Sequence, residues 1–160
     1  MPFFYDSDLY KVYLKDNVPK VKVEIIIKAE KDKVFSTITD FENLPSKLPH
    51  IFKSVKVISR EGNSLITEEL VKMAGRDIAQ KVKHVIKPTD QHEVFILEGN
   101  AKDSHIVESY EETSQGTKII VEGDFKLAGK LNLLGFIAKG KIEKSITEVM
   151  EEFAKLILKK

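Results

Sequence analysis

The stretch "KDKVFSTITDFENLPSKLPHIFKSVKVI" (residues 31–58) changes its periodicity twice, and that change decides how the rest of the chain is read. Val34, Phe35, Ile38 and Phe41 fall at the spacing of one helix face. Pro45 and Pro49 follow, among the apolar residues Leu44, Leu48, Ile51 and Phe52. Proline is tolerated in the first turn of a helix and breaks its interior. Pro45 therefore reads as the start of a second short helix and Pro49 as its stop. Asp40 reads as the end of the first helix, an unexpected place for an acid because the helix dipole is negative there. "SVKVIS" (54–59) then reads as a strand. The apolar residues between the helices and the strand have two possible destinations. They clamp the short helices into a core, or Leu48, Ile51 and Phe52 line the mouth of a cavity and act as a gate.

Outward from this stretch the pattern becomes strand after strand. "VKVEIIIKA" (21–29) precedes it, with β-branched residues in partial alternation. "NSLITEELVKM" (63–73) follows the turn "REGN", and "RDIAQKVKHVIK" (76–87) follows Gly75. "HEVFILEG" (92–99), "HIVESYEE" (105–112) and "TKIIVEGDFKL" (117–127) complete a meander with turns at regular spacing. The end changes character: Ile142, Ile146, Val149, Met150, Phe153, Leu156 and Ile157 recur at helical spacing. One helix must bury its stripe and one sheet must bury a face. The order predicts an α+β fold in which a curved antiparallel sheet of six to seven strands wraps a long C-terminal helix and leaves a cavity between them. Residues 20–160 form that domain. Residues 1–19, with Phe3, Phe4 and Tyr5, read as an added strand or as an arm that makes a homodimer.

Composition narrows the function. The 160 residues carry a formal net charge of +1, which argues against DNA as a partner. Without cysteine there are no disulfides, zinc-thiolate sites, iron–sulfur clusters or cysteine nucleophiles. No apolar run approaches the ~18 residues of a membrane span, and the start lacks a secretory pattern, so a cytoplasmic protein is expected. There is no Gly-x-Ser-x-Gly elbow and no phosphate loop. No cofactor is expected and no metal either: Asp103 and His105 form only one same-face pair, and His84 or His92 would have to supply a third ligand.

The order of elements resembles the START-related superfamily, called SRPBCC or helix-grip. The closest likeness is to its polyketide cyclase/dehydrase and coenzyme Q-binding type. Asp40, Leu44, Pro45 and Pro49 occupy the places of the family's "D-x-x-x-[YL]-P-x-x-x-P" pattern, and residues 133–158 its long closing helix. The quinone-binding branch often has an aromatic residue where this chain has Leu44. The resemblance covers roughly residues 20–158. It implies a cavity for a hydrophobic or amphipathic small molecule such as a lipid, a quinone or a polyketide.

Strand alternation nominates the residues that face this cavity. In 76–87, Ile78, Val82 and Ile86 share a face, which places Gln80 and His84 beside them. In 105–112, Ile106 and Tyr110 carry Glu108 inward, and in 117–127 Val121 and Phe125 face in. In 63–73, Ile66 and Leu70 would carry Glu68 inward, although the opposite phase is nearly as apolar. Leu134, Phe136 and Ile137 are the candidates from the closing helix. Glu68, Gln80, His84, Glu108 and Tyr110 would supply the polar contacts. Carriage, sequestration or sensing is the preferred reading. The alternatives are a cyclase- or dehydrase-like enzyme with His84 and Glu108 as acid and base, or a protein-partner module.

Overall fold

Alternating burial along each strand sets up one sheet with a covered and an open face. A computed structural model describes residues 20–126 and 135–159, with the backbone alone at 135–138. The arm 1–19, Leu134 and the side chains of Phe136 and Ile137 lie outside the described residues. The elements run β1 (Lys20–Ile27), α1 (Lys31–Ile38), a 3-10 turn (Phe41–Asn43), α2 (Leu44–Lys47), β2 (Phe52–Glu61), β3 (Ser64–Met73) and β4 (Arg76–Lys87). They continue with β5 (Gln91–Glu98), β6 (His105–Thr113), β7 (Gly116–Asp124) and α3 (Gly135–Leu158). The seven strands lie in the order β1-β7-β6-β5-β4-β3-β2, each antiparallel to its neighbours.

Irregular pairing accompanies the curvature. The β2–β3 register shifts between Phe52 and Ser54 and again between Val57 and Ser59, and the β4–β5 register shifts at Lys81/Val82. An extra residue on one strand bends it and increases its twist. The turn into β7 needs glycine: Gly116 has φ +127°, and a Cβ there would collide with the Ile27 carbonyl oxygen and stand 2.8 Å from Lys28 Cα.

On α3, Ile146, Met150, Phe153 and Ile157 are buried at i, i+4, i+7 and i+11, one continuous stripe. They join a core with Val21, Val23 and Ile27 of β1, Val34, Phe35 and Ile38 of α1, and Ile119 and Val121 of β7. Each fully buried side chain of this size contributes about 1.5–3 kcal/mol. The stripe therefore holds α3 on the sheet despite the glycines near its start.

Asp40 does not end α1. That helix stops at Ile38 with Thr39 as its C-cap, and Asp40 is the N-cap residue of the 3-10 turn. Its carboxylate accepts from Asn43 Nδ2 at 2.9 and 3.0 Å and from Lys47 Nζ at 3.1 Å. Desolvation is the largest single influence on Asp40 and pushes its pKa up, but the bonds from Lys47 and Asn43 outweigh it and hold the group below its ordinary value. The acid that was unfavourable at a helix end is thus favourable at a helix start. Pro45 lies in the first turn of α2, and the helix ends before Pro49.

Candidate functional site

A cavity of about 180 Å³ lies between the concave face of the sheet and α3. Its walls are mostly apolar: Ile51, Phe52, Val71, Met73, Val82, Val94, Ile96, Ile106, Val121 and Phe125 from the sheet side, and Ile146, Val149, Met150 and Phe153 from α3. Ile38, Phe41 and Leu44 close it from the short helices. Among the described residues, five polar side chains reach it: Glu69, Gln80, His84, His92 and Glu108. A larger depression of about 520 Å³ between the β1–α1 loop and the β6–β7 turn is a surface feature lined mainly by charged and polar residues such as Lys28, Glu30 and Gln115.

The polar residues form one row across β3, β4, β5 and β6. Gln80 Nε2 donates to Glu69 Oε2 at 3.0 Å, and Thr67 Oγ1 donates to Glu69 Oε1 at 2.8 Å. His84 Nε2 is 3.1 Å from that same oxygen and 3.0 Å from Thr67 Oγ1. His84 Nδ1 meets His92 Nε2 at 2.9 Å, and His92 Nδ1 meets Glu108 Oε2 at 2.8 Å. Tyr110 OH ends the row by donating to Glu108 Oε2 at 2.7 Å. His84, His92 and Glu108 are 4%, 3% and 8% exposed, so water does little to screen them. Phe41 covers the row, its ring centroid 4.1 Å from that of His84 and 5.4 Å from that of His92.

Burial and neighbours compete over each charge. Desolvation is the largest influence on Glu69 and pushes its pKa up; the hydrogen bond and charge of His84, with the bonds from Gln80 and Thr67, outweigh it. Desolvation is again largest for Glu108, and the charge and bond of His92 with the Tyr110 hydroxyl hold that carboxyl below its ordinary value. For His84 desolvation wins, and the imidazole is pushed down despite Glu69. Tyr110 is raised well above its ordinary value by burial and by the Glu108 charge, so it remains a donor.

Thr67 Oγ1 lies within bonding distance of both Glu69 Oε1 and His84 Nε2, so its hydroxyl can serve either. The fold favours ionised Glu69 and Glu108 and a neutral His84, and the row is therefore net negative.

The strand phases locate the sequence candidates. Gln80, Val82 and His84 of β4, Glu108 of β6, Val121 and Phe125 all line the cavity, as do Ile51 and Phe52. Leu48 is buried in the core and does not line it, half-buried Ile78 pairs with the lining residue Val71 but is not itself part of the wall, and Tyr110 reaches it only through Glu108. Glu68 is a correction. It is exposed on the outer face, paired across the sheet with Lys56 of β2 and Lys81 of β4. Leu65, Thr67, Glu69, Val71 and Met73 take the inward phase instead, so Glu69 occupies the place expected for Glu68. Glu69 and His92 are the residues the sequence reading missed. His92 shares its inward face with Val94 and Ile96, and it follows directly from the "HEVFIL" alternation. The outer stripe Lys81, Lys83 and Lys87 is partly offset: Lys81 lies 3.7 Å from Glu98, and Lys87 lies 3.9 Å from Glu93. Among the described residues no group of three metal-ligating side chains converges, and no helix is long and apolar enough to cross a membrane.

A seven-stranded antiparallel sheet gripping one long helix, with two short helical turns after the first strand, is the helix-grip fold of the START-related superfamily. Residues 18–157 match the family described as polyketide cyclase / dehydrase and lipid transport, and the chain belongs to it. No curated protein sequence matches. Among solved structures, TTHA0849 from Thermus thermophilus is 17% identical with a TM-score of 0.75, covering 88% of this chain and 97% of its own. Zhui aromatase/cyclase from Streptomyces sp. R1128 is 13% identical with a TM-score of 0.68, at 87% and 90% coverage. A START superfamily protein from Mycobacterium smegmatis is 17% identical with a TM-score of 0.65, at 86% and 93% coverage. Identities this low speak for the fold alone.

Proposed function

We propose that this protein binds a hydrophobic or amphipathic small molecule in the cavity between the sheet and α3, for carriage, sequestration or sensing. The observation that carries the reading is the cavity itself: apolar walls with a short polar row at one place, the arrangement of a small-molecule site. Binding would draw on apolar burial at about 25 cal/mol per Å² removed from water, with one or two polar contacts to orient the ligand. Native mass spectrometry of the purified protein tests it. A retained lipid, quinone or polyketide-like mass supports a carrier. An apo mass that takes up no apolar probe on titration counts against it.

A second reading has its own observation. The row Glu69–His84–His92–Glu108 joins ionisable groups that could accept a proton at one end and release one at the other, as acid–base chemistry on a bound polyketide would need. His84→Ala separates the two: turnover lost with binding kept marks an enzyme of the cyclase or dehydrase kind.

A further inference from the structure

The two oxygens of the Glu108 carboxylate have different partners. Oε2 takes both His92 Nδ1 and Tyr110 OH, whereas no donor among the described residues reaches Oε1. Glu108 lines the cavity, and among the described residues no fully buried side-chain oxygen or nitrogen lacks a partner. Oε1 is therefore open to the cavity and not sealed in the core. A carboxylate oxygen is an acceptor only. The cavity offers it no cation: not one Lys or Arg stands among the described lining residues.

The charge count points the same way. With Glu69 and Glu108 ionised and His84 neutral, the row is net negative. An anionic headgroup placed against it would meet like charge in a weakly screened site, a loss that grows as water is excluded. A hydroxyl or ammonium group would meet an acceptor already held in place by His92 and Tyr110, with little reorganisation. The volume sets the scale of the rest of the ligand. About 180 Å³ is roughly six water volumes at ~30 Å³ each, and it falls below the ~300–1,000 Å³ of sites for drug-sized ligands.

We infer that the cavity selects a compact apolar molecule bearing a hydrogen-bond donor, an O–H or N–H group seated on Glu108 Oε1, and rejects carboxylates and phosphates of the same body. The inference rests on the proposed ligand-binding role of the cavity and narrows it to a ligand class. Fatty acids and other anionic lipids fall outside that class, while phenols, alcohols and amines fall within it.

A matched naphthalene series tests the inference on the intact protein. The chain has no tryptophan, so naphthalene fluorescence can be read directly. The probes are 2-naphthol, 2-naphthylmethylamine, 2-methoxynaphthalene and 2-naphthoate. At least one of the two donor probes is expected to bind about tenfold tighter than 2-methoxynaphthalene, the difference of one hydrogen bond to a charged acceptor. 2-Naphthoate is expected to bind weakest. Whichever of naphthol and amine binds tighter tells a neutral hydroxyl from an ammonium as the natural donor. Glu108→Gln should narrow the gap between naphthol and its methyl ether and strengthen naphthoate. Should that variant fail to fold, the four affinities of the unaltered protein still decide. Naphthoate binding as tightly as both donors overturns the inference and leaves the cavity reading intact, as does a methyl ether that matches both donors. No binding by any of the four overturns the cavity reading itself.

Discussion

His84 Nδ1 stands 2.9 Å from His92 Nε2, with the two rings 23° from parallel and their centroids 5.1 Å apart. The backbone register sets this separation. His84 pairs with Val94 and His92 with Ile86, so the two histidines are diagonal neighbours on the same face of β4 and β5. Glu108 of β6 pairs directly with His92, and Glu69 of β3 pairs with Gln80, two inward-facing positions along β4 from His84. Four adjacent strands thus contribute one ionisable or hydrogen-bonding group each, or two, to a continuous row.

His92→Phe should be strongly destabilising. The new ring can keep the packing against Phe41, but both hydrogen bonds vanish and Glu108 is left as a buried charge with Tyr110 alone. Removing one partner of a buried pair costs about 3–5 kcal/mol. The double variant His92→Phe/Glu108→Leu should recover much of that loss, because the orphaned charge is gone. Urea unfolding of the three proteins checks it; equal losses in the single and double variants would mean that Glu108 is not ionised in the fold.

Acid should weaken the protein in two stages. His84 is held below its ordinary value of 6.5, so the fold favours its neutral form. Its contribution is intact above 6.5 and fades as pH falls below that value. Glu69 and Glu108 are held below 4.5, so the fold favours their ionised forms. Their contribution is intact above 4.5 and is lost as pH falls through their lower folded values. Both shifts have the same sign, and the melting temperature should fall from near pH 6.5 downward and more steeply below pH 4.5. Glu69→Gln should flatten the steeper part, removing a slope of up to ~1.4 kcal/mol per pH unit. An unchanged slope in that variant would deny Glu69 its ionised state.

Filling the cavity should remove binding without removing the fold. Val94 is half-buried, lines the cavity and pairs with His84 and Ile106. Val94→Phe would project its ring into the 180 Å³ space. Overpacking costs about 1–3 kcal/mol, well inside the range a domain tolerates. Affinity for 2-naphthol should drop at least tenfold while the circular dichroism spectrum stays that of the parent. Unchanged affinity would place the binding site elsewhere.

The sequence made the fold legible because its cues were redundant. Each strand had its own alternation, each turn its own glycine or polar cluster, and the closing helix a stripe of Ile146, Met150, Phe153 and Ile157 that fits no strand period. The candidate site was legible strand by strand except at β3. There "ITEELV" places Glu68 and Glu69 side by side, and each phase carries apolar residues. Alternation cannot choose between adjacent carboxylates; the fold sets Glu68 outward opposite Lys56 and Lys81 and bonds Glu69 to Thr67, Gln80 and His84. The link between His84 and His92 was hidden for a different reason. It depends on the β4–β5 register, which runs unbroken from the turn at 88–90 to Val82, and the alternation of each strand by itself does not say which residues come to face one another.

Asp40 tests whether the stretch that decided the fold also governs entry. Its carboxylate holds Asn43 and Lys47, and the turn between them carries Phe41 onto the polar row and Leu44 onto the cavity wall. The chain beyond is fastened by Leu48 N–H donating to the Leu44 carbonyl at 2.8 Å, and by Lys72 N–H donating to the Ile51 carbonyl at 2.7 Å. Asp40→Ala removes the bonds of its carboxylate to the Asn43 and Lys47 side chains and should cost about 1 kcal/mol. Losing those side-chain bonds loosens the 3-10 turn while the Lys72 bond still fixes the far end, so the segment should open by swinging about Ile51. Amide exchange should quicken at Leu48 more than in β4 or β5. If the segment is the gate, stopped-flow mixing with 2-naphthol should show association and dissociation both faster and the equilibrium affinity little changed, because the walls that hold the ligand stay in place. Faster exchange at Leu48 with unaltered binding rates would assign residues 44–52 to the core and send the ligand in by another route.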